Sequence, residues 1–381
     1  MDNFSRLVTT LRNFSYAIAE RDLLGSVVKL KLMDFPTKVF EMILRRMNVI
    51  EVFNLSIISK KIRTKILLAN IQIDCLEVIC DGANQKIILR NHWKDPVLQF
   101  TFDGKPAPYG WMMGKYRLKI RSRNLSNNEY FCHSTDFESE LKPILNYLSS
   151  VFRFHSGFAS IQLSKRTSKL REIIDHSVFN DRLVLRLCGK LKSGYHNLET
   201  LLHKYHHLEG LFIAFRFCRT DFDHQEILTL NRVCFVDASW FTREDLLNSR
   251  FQNLKLLFHN LDSEDINVFI KHWLASDDKR FNRLELMCQP GKRLNKLQVT
   301  KDLDIMLWEK QRREPEYLID HIQSPYLTDT RQGFDIERKD GLLATILIKE
   351  NSFMFCVWHT RFYRPEVLEY PKRTMKLLNN L

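Results

Sequence analysis

The stretch that decides the fold lies at residues 31–70 and reads KLMDFPTKVFEMILRRMNVIEVFNLSIISKKIRTKILLAN. Pro36 suits the first turn of a helix, because its missing N–H would have no partner there. Apolar residues then recur at helical spacing and give one wide apolar face, made of Val39, Phe40, Ile43, Leu44 and Met47. Asn48, with Glu51 three residues later, predicts the cap of a second helix, and Ser59 predicts the cap of a third. We therefore expect three short helices in succession.

These helices carry more apolar surface than so short a stretch can bury by itself. Helices of this length are marginal on their own, and so few residues cannot easily form a complete core. The excess indicates that another surface covers part of it. That surface belongs either to a partner protein or to the rest of this chain, and the residues alone leave both possibilities open.

Composition describes a folded, basic chain. The sequence has 381 residues and a formal net charge of +13, and 44% of it is hydrophobic, which rules out a wholly disordered protein. No apolar run approaches the length of a membrane span, and we find no secretory signal pattern. The cysteines are scattered without a Cys-x-x-Cys pair, as reduced thiols are. We expect a cytoplasmic or nuclear protein that does not enter a membrane.

The positive charge raises nucleic-acid binding as an alternative. Five basic residues alternate along one segment, so a strand there would carry all of them on one face. They are Lys115, Arg117, Lys119, Arg121 and Arg123. Such a face is either a solvated outer surface, which is the interpretation we prefer, or a platform for an acidic partner.

No segment has the pattern of a catalytic or metal site. The motifs HExxH, GxSxG and GxGxxG are absent. Gly189 and Gly194 have the spacing of a P-loop, but the Lys and Ser or Thr that must follow are missing. His203, His206 and His207 belong to an amphipathic segment with no Cys or carboxylate at ligand spacing. We therefore predict a protein that is not an enzyme and has no cofactor.

The helical stretch resembles an F-box. Phe35 and Pro36 stand where that family usually has Leu-Pro, and NLSIISKKIR at residues 54–63 resembles the second half of the motif in nematode F-box proteins. The sequence departs from the motif at Lys38, where many F-boxes have an acidic residue, and at Ile62, where many have Trp. The resemblance implies docking on a Skp-family adaptor, and through that adaptor on a cullin.

The resemblance also implies which residues bind or support the adaptor. By their position in the motif they are Phe35, Pro36, Val39, Ile43, Leu55, Ile58 and Ser59. Aliphatic anchors of this kind dominate the energy of many protein interfaces. A basic rim, made of Arg45, Arg46, Lys60 and Lys61, would favour an acidic partner and speed the encounter.

Beyond residue 70 the apolar pattern changes from helical to alternating. Residues 71–103 read as a small antiparallel meander. Five later runs read as strands about 20 to 30 residues apart, with short amphipathic segments between them. They are residues 183–187, 211–215, 233–236, 253–258 and 283–287. This rhythm predicts an irregular leucine-rich-repeat-like α/β domain and leaves an ordinary α/β sandwich as the alternative.

Near the C-terminus the sequence returns to antiparallel character. Asp340-Gly341 is a tight-turn signal, and residues 353–358 are rich in aromatic and β-favouring side chains. We expect a second meander here, which could pair with the first one and cap the repeat-like array.

A second resemblance lies within this array. Residues 238–287 resemble the type-2 F-box-associated domain of nematode F-box proteins, and residues 334–346 resemble the end of such chains. The residues that carry the likeness include Trp240, Asp265, Asn267, Phe269, Lys271 and Trp273. The predicted organisation is α/β, or α+β overall. It has a helical extension at 1–30, an F-box at 31–70, an F-box-associated domain at 71–360 and a tail at 361–381.

Together the two resemblances imply a non-catalytic substrate receptor of a ubiquitin ligase, whose protein substrate is unknown. The alternatives are a nucleic-acid-binding protein and an F-box protein that acts outside a ligase. On the repeat model, Lys255, Leu257 and His259 point to the open face of the sheet and are the substrate candidates. Leu254, Leu256 and Phe258 should point toward the helices.

Overall fold

The computed structural model describes most of the chain between Pro36 and Arg364. The described ranges are 36–81, 84–91, 96–107, 109–113, 116–124, 126–163, 174–179, 182–189, 208–215, 227–319 and 326–364. Five sets of residues singled out above lie outside them: the extension at 1–30, Phe35, Lys115, Gly194 and the histidines at 203, 206 and 207. Residues 365–381 of the predicted tail also lie outside.

The chain divides into two compact units. The first comprises the described residues within Met1–Ile161 and Arg166–Leu183, and the second comprises those within Val184–Leu381 together with Gln162–Lys165. The three predicted helices therefore share a unit with the strands that follow them, and no unit boundary falls at residue 70.

The first unit begins with three helices: α1 (Thr37–Leu44), α2 (Val49–Ile58) and α3 (Lys60–Leu68). The predicted caps are present. Asn48 Oδ1 accepts from the Glu51 N–H at 2.9 Å, while the Asn48 N–H donates to Glu51 Oε2 at 2.8 Å. Ser59 Oγ accepts from the Ile62 N–H at 3.2 Å. Local sequence signals thus determine where these helices start.

A sheet and one further helix complete the first unit. In chain order they are β1 (Gln72–Asp81), β2 (Asn84–Arg90), β3 (Pro96–Asp103), β4 (Tyr109–Met113), β5 (Tyr116–Asn124), β6 (Glu129–His133), α4 (Phe137–Ser149) and β7 (Arg153–Leu163). The strand order is β7-β1-β2-β3-β6-β5-β4. Strands β1 to β3 form the predicted antiparallel meander, whereas β1–β7 and β3–β6 are parallel pairs.

This unit covers much of the apolar surface of the helices. In α2 every residue from Ile50 to Ser56 is buried. The ring of Phe53 lies 5.2 Å from that of Phe100 and 6.0 Å from that of Tyr130, and the Tyr130 hydroxyl donates to Asn54 Oδ1 at 2.7 Å. The question left open by the sequence is thus answered for α2: the rest of the chain covers it.

The second unit contains five parallel strands that are neighbours in chain order. They are β8 (Leu183–Gly189), β9 (Gly210–Ala214), β10 (Arg232–Phe235), β11 (Asn253–His259) and β12 (Arg283–Cys288). Helix α5 (Arg243–Asn248) lies between β10 and β11, and α6 (Ser263–Ala275) lies between β11 and β12. The chain is therefore a mixed α/β protein, with helices at its described N-terminal end and a large sheet-rich region after them.

The C-terminal elements extend this array. They are α7 (Lys296–Val299), β13 (Met306–Leu307), β14 (Glu316–Ile319), β15 (Tyr326–Asp329), β16 (Phe334–Glu337), β17 (Leu343–Lys349) and β18 (Ser352–Trp358). Strands β16 to β18 form the expected second meander, and β13 pairs at its outer side. The neighbours of β18 are β12 and β17, so this meander continues the parallel strands instead of pairing with the first meander.

One face of the second unit's sheet is fully covered. Leu254, Leu256, Leu284 and Leu286 are each at most 2% exposed. On the same side, the ring of Trp273 in α6 meets the ring of Phe355 in β18 at 5.0 Å. Trp273 is therefore a core residue that holds α6 against the sheet. The two-stranded sheet β14–β15 covers part of the other face through a separate apolar cluster that includes Tyr317, Ile319 and Trp358.

Candidate functional site

The residues predicted to bind the adaptor separate into a surface group and a buried group. Pro36 is exposed, Val39 is half-buried and Ile58 is 38% exposed. Ile43 and Leu55 are 0% exposed, so an adaptor cannot touch their side chains in this conformation. Of the two roles that the resemblance implies, contact with the adaptor and support of the interface, only support is open to these buried side chains. A motif position alone does not tell which of the two roles a residue has.

Two further apolar side chains of the helices reach solvent. Met42 is 57% exposed and Leu68 is 66% exposed. Met42 follows Glu41 in the chain and lies on the polar side of α1. An apolar residue at such a position was the sequence signal that could have identified it as a partner contact. We call Pro36, Val39, Met42, Ile58 and Leu68 the exposed apolar set of the helices.

The basic residues around this set are accessible. Arg45, Arg46, Lys60 and Lys61 are all exposed, as a basic rim requires. Ser59 is half-buried, and its hydroxyl is used to cap α3. Exposed apolar side chains that are accompanied by basic ones suit a partner that has an aliphatic groove and acidic edges.

The alternating basic residues do not form the uniform face that the sequence predicts. Arg117 and Lys119 on β5 are exposed. Arg121, however, donates to Asp103 Oδ2 at 3.0 Å, and the Arg123 guanidinium lies over the ring of Tyr130 at 5.3 Å. The pairing of β5 with β6 shifts between Ile120 and Ser122, which breaks the alternation. This weakens the case for a phosphate-binding platform.

The three substrate candidates on β11 differ in burial: Lys255 and Leu257 are partly accessible, whereas His259 is not. Lys255 and Leu257 are half-buried and line a cavity of about 180 Å³. Lys255 Nζ lies 2.8 Å from Glu285 Oε2, and Arg283 Nε lies 2.7 Å from the other oxygen of the same carboxylate. Burial alone would lower the pKa of Lys255, but the charge and hydrogen bond of Glu285 outweigh it and raise the pKa. Lys255 is thus a fixed positive charge beside the cavity.

His259 does not lie on the open face. Its side chain is 0% exposed, while Phe258, which was expected in the core, is half-buried. The cause is a bulge: the register moves from Leu257–Met287 to His259–Cys288, and Phe258 takes a left-handed φ of 53°. One inserted residue reverses the alternation, and nothing in the strand's composition signals it. The prediction that His259 faces the substrate is therefore wrong.

The buried His259 should make the stability of the second unit depend on pH. Burial, followed by the nearby charge of Lys292, lowers the pKa of His259 from 6.5 to about 4. The folded state then keeps the ring neutral while the unfolded chain takes up a proton, so stability is complete above pH 6.5 and declines as the pH falls toward 4. The decline should amount to about 3 kcal/mol.

The measurement is urea denaturation between pH 7 and pH 4.5 for the native chain and for His259→Leu. We expect the variant to lose less stability on acidification than the native chain does. Equal losses would mean that His259 is not the group that takes up the proton.

The described residues contain neither a metal-binding cluster nor a membrane-spanning helix. No group of three or more His, Cys, Asp and Glu side chains gathers there in a way that would hold a metal ion. No helix among them is both long enough and apolar enough to cross a membrane.

Comparison with known families gives two matches that agree with this geometry. An F-box domain model matches residues 32–71, which include α1, α2 and α3. A model described as F-box associated matches residues 221–286, which include β10, β11, α5 and α6 and most of β12.

The similar curated proteins are all from Caenorhabditis elegans. The E3 ubiquitin-protein ligase hecw-1 is 26% identical over 286 residues, which are 67% of this chain and 22% of that protein. The uncharacterized protein F59B2.9 is 21% identical over 277 residues, 70% of this chain and 62% of that protein. The uncharacterized protein F54H12.5 is 20% identical over 338 residues, 86% of this chain and 93% of that protein.

The match to this chain thus spans less than two thirds of the length of the first two relatives. No solved structure matches the chain. The F-box model thus matches the three helices, and the F-box-associated model matches part of the parallel strands, as the two sequence resemblances predicted. The chain therefore carries an F-box domain and an F-box-associated domain, and the curated proteins similar to it are nematode proteins.

Proposed function

We propose that this chain is the substrate-receptor subunit of a Skp–cullin–F-box ubiquitin ligase. Its helices bind a Skp-family adaptor, and its second unit binds a protein substrate. Ubiquitin transfer is carried out by the partner subunits. The observation that carries the proposal is the F-box match at residues 32–71, on helices that keep exposed apolar side chains although α2 is covered.

The exposed apolar set gives the proposal its physical basis. The exposed side chains of Met42, Ile58 and Leu68 contribute little burial free energy to the fold of this chain. A partner that covers them would remove that apolar surface from water, which favours binding. Exposed Arg45 and Lys61 beside them favour an acidic adaptor surface and speed the encounter. The buried Ile43 and Leu55 keep the helices in the geometry that binds.

For the second unit we propose a leucine-rich-repeat-like array whose open face binds the substrate. The support is that β8 to β12 are parallel neighbours in chain order, with α5 and α6 in two of the connections. In such arrays the uncovered side of the sheet is a rigid surface from which side chains project toward a partner. Lys255 and Leu257 remain the substrate candidates on that face.

We further propose that the protein acts in the cytoplasm or nucleus. No disulfide joins the described cysteines, and burial raises the pKa of Cys75, Cys132 and Cys356, which keeps these thiols protonated. Unpaired thiols fit a reducing compartment.

Affinity purification from nematode cells tests the proposed function. The tagged full-length chain is compared with a variant that carries Met42→Asp and Ile58→Asp. We expect the native chain to recover a Skp-family adaptor and a cullin, and the variant to lose both while it keeps its other partners. Recovery of the adaptor without a cullin would favour an F-box protein that acts outside a ligase. Recovery of nucleic acid alone would favour the basic alternative.

A further inference from the structure

The strand register aligns one side-chain row across the open face of the second unit. Arg186 on β8 pairs with Phe212 on β9, which pairs with Cys234 on β10, and Cys234 pairs with Lys255 on β11. The row continues through Glu285 on β12, Met354 on β18 and Leu347 on β17. Because alternate residues of a strand point to opposite faces, this row lies opposite the buried leucines.

One end of the row is positively charged. The Arg186 guanidinium lies over the ring of Phe212 at 5.3 Å. Its Nε is shielded from solvent and has no hydrogen-bond partner among the described residues, although a guanidinium forms strong bonds to carboxylates. Burial raises the pKa of Cys234 to about 12, so that thiol adds no negative charge. Arg186 is therefore a cation held in place by Phe212, and its guanidinium retains a hydrogen-bond donor that the described residues do not use.

The centre of the face is also positive on balance. Glu285 is the acidic member of the row, and it lies against two cations, Lys255 at 2.8 Å and Arg283 at 2.7 Å. With Arg186 included, the cations outnumber the carboxylate on this part of the sheet. An incoming carboxylate would therefore meet an attractive potential instead of a neutral surface.

The other end of the row is concave and carries several apolar side chains. The cavity of about 180 Å³ is lined on its apolar side by Leu257, Met287, Leu347 and Met354, and charged side chains at its border include Lys255, Glu285, Asp329 and Lys349. Met287 is 40% exposed, although the strands around it are well covered. Methionine side chains adapt their shape to the group that enters, so this cavity suits a large aliphatic or aromatic side chain.

We propose that this face binds an extended segment of the captured protein, which places an Asp or Glu against Arg186 and a large apolar side chain in the cavity. The inference rests on the proposed function, since it names the class of substrate that the receptor recognises. Four strand spacings of about 4.8 Å separate β8 from β12, and an extended chain rises about 3.3 Å per residue. The acidic and apolar residues should therefore be about six positions apart.

Selection from a phage-displayed library of random twelve-residue peptides tests this inference, with the full-length chain as bait. We expect the selected peptides to be enriched in Asp or Glu about six positions from Leu, Ile, Met or Phe. No enrichment, or enrichment in basic peptides, would overturn the proposal.

Variants then test the role of Arg186 at the charged end of the row. For the best selected peptide, Arg186→Gln should weaken binding about tenfold, and replacing the peptide's acid by its amide should weaken it less in this variant than in the native chain. Arg186→Glu should accept a peptide in which Lys replaces the acid. Arg117→Gln, at an exposed position of β5 in the first unit, is the matched control and should bind as the native chain does.

The same proteins are mixed with a purified Skp-family adaptor. Arg186→Gln should bind the adaptor as tightly as the native chain does. A native chain that selects acidic peptides but does not bind the adaptor would refute the proposed ligase function and leave the peptide site standing. If the Arg186→Gln variant keeps full affinity for the acidic peptide, the site is wrong whatever the adaptor does.

Discussion

Replacement of Asp335 by Asn is expected to lower the free energy of unfolding of the second unit by about 3–5 kcal/mol. Asp335 and Arg313 are both 0% exposed, and Arg313 Nε donates to Asp335 Oδ1 at 2.8 Å. The other guanidinium nitrogens donate to Thr330 and to the Glu314 carbonyl, and the cation lies over the ring of Trp358. Loss of the carboxylate would leave this buried cation without its counter-charge.

Guanidinium denaturation followed by circular dichroism measures the effect. Asp329→Asn is the matched control, because the pair of Asp329 with Arg331 is exposed and water screens it, so its loss should change stability little. If Asp335→Asn proves no more harmful than Asp329→Asn, then Arg313 and Asp335 do not form a buried pair in solution.

Replacement of Trp273 by Ala should cost about 3–5 kcal/mol of stability. The side chain is 3% exposed, its ring meets that of Phe355 at 5.0 Å, and the Arg338 guanidinium lies 5.2 Å above it. The cost comes from the lost contacts and from the cavity left between α6 and the sheet. Binding of a substrate should weaken only to the extent that the unit unfolds.

A thermal melt of the full-length chain checks this expectation. Leu297→Ala serves as the comparison, because that side chain is 82% exposed and should change stability by no more than about 0.5 kcal/mol. A Trp273→Ala variant that melts with the native chain would show that the buried side of α6 is assigned wrongly.

Features that depend on near neighbours in sequence could be predicted well. Asn48, Glu51 and Ser59 cap helices as expected, because a capping side chain and the N–H it satisfies are only a few residues apart. The five strand runs of the second unit were also predictable, because a strand covered on at least one face needs a continuous or alternating apolar run.

Features that depend on contacts distant in sequence could not. Phe100, Tyr130 and Tyr147, which cover α2, come from three later elements of the chain, so the sequence could not show that the helices share a unit with the sheet. For the same reason the sequence could not show which residues of the motif contact the adaptor and which, like the buried Ile43 and Leu55, can only support the interface.

Small backbone irregularities had a large effect on the candidate site. The bulge at Phe258 moved His259 into the protein, since one inserted residue turns the following side chain to the opposite face. Arg186 was missed for a different reason. It lies inside an apolar run, and only the strand register shows that Phe212 and Lys255 follow it across the sheet.

The most direct test of the central claim is isothermal titration of the full-length chain with a purified Skp-family adaptor. We predict a one-to-one complex, and we predict that Ile58→Asp, at a position 38% exposed on the native helices, weakens it by about 2 kcal/mol or more without lowering the melting temperature. Leu297→Asp, at a leucine of the second unit that is 82% exposed, should bind the adaptor with native affinity. The account would be contradicted if the native chain did not bind the adaptor, or if Ile58→Asp bound it as tightly as Leu297→Asp.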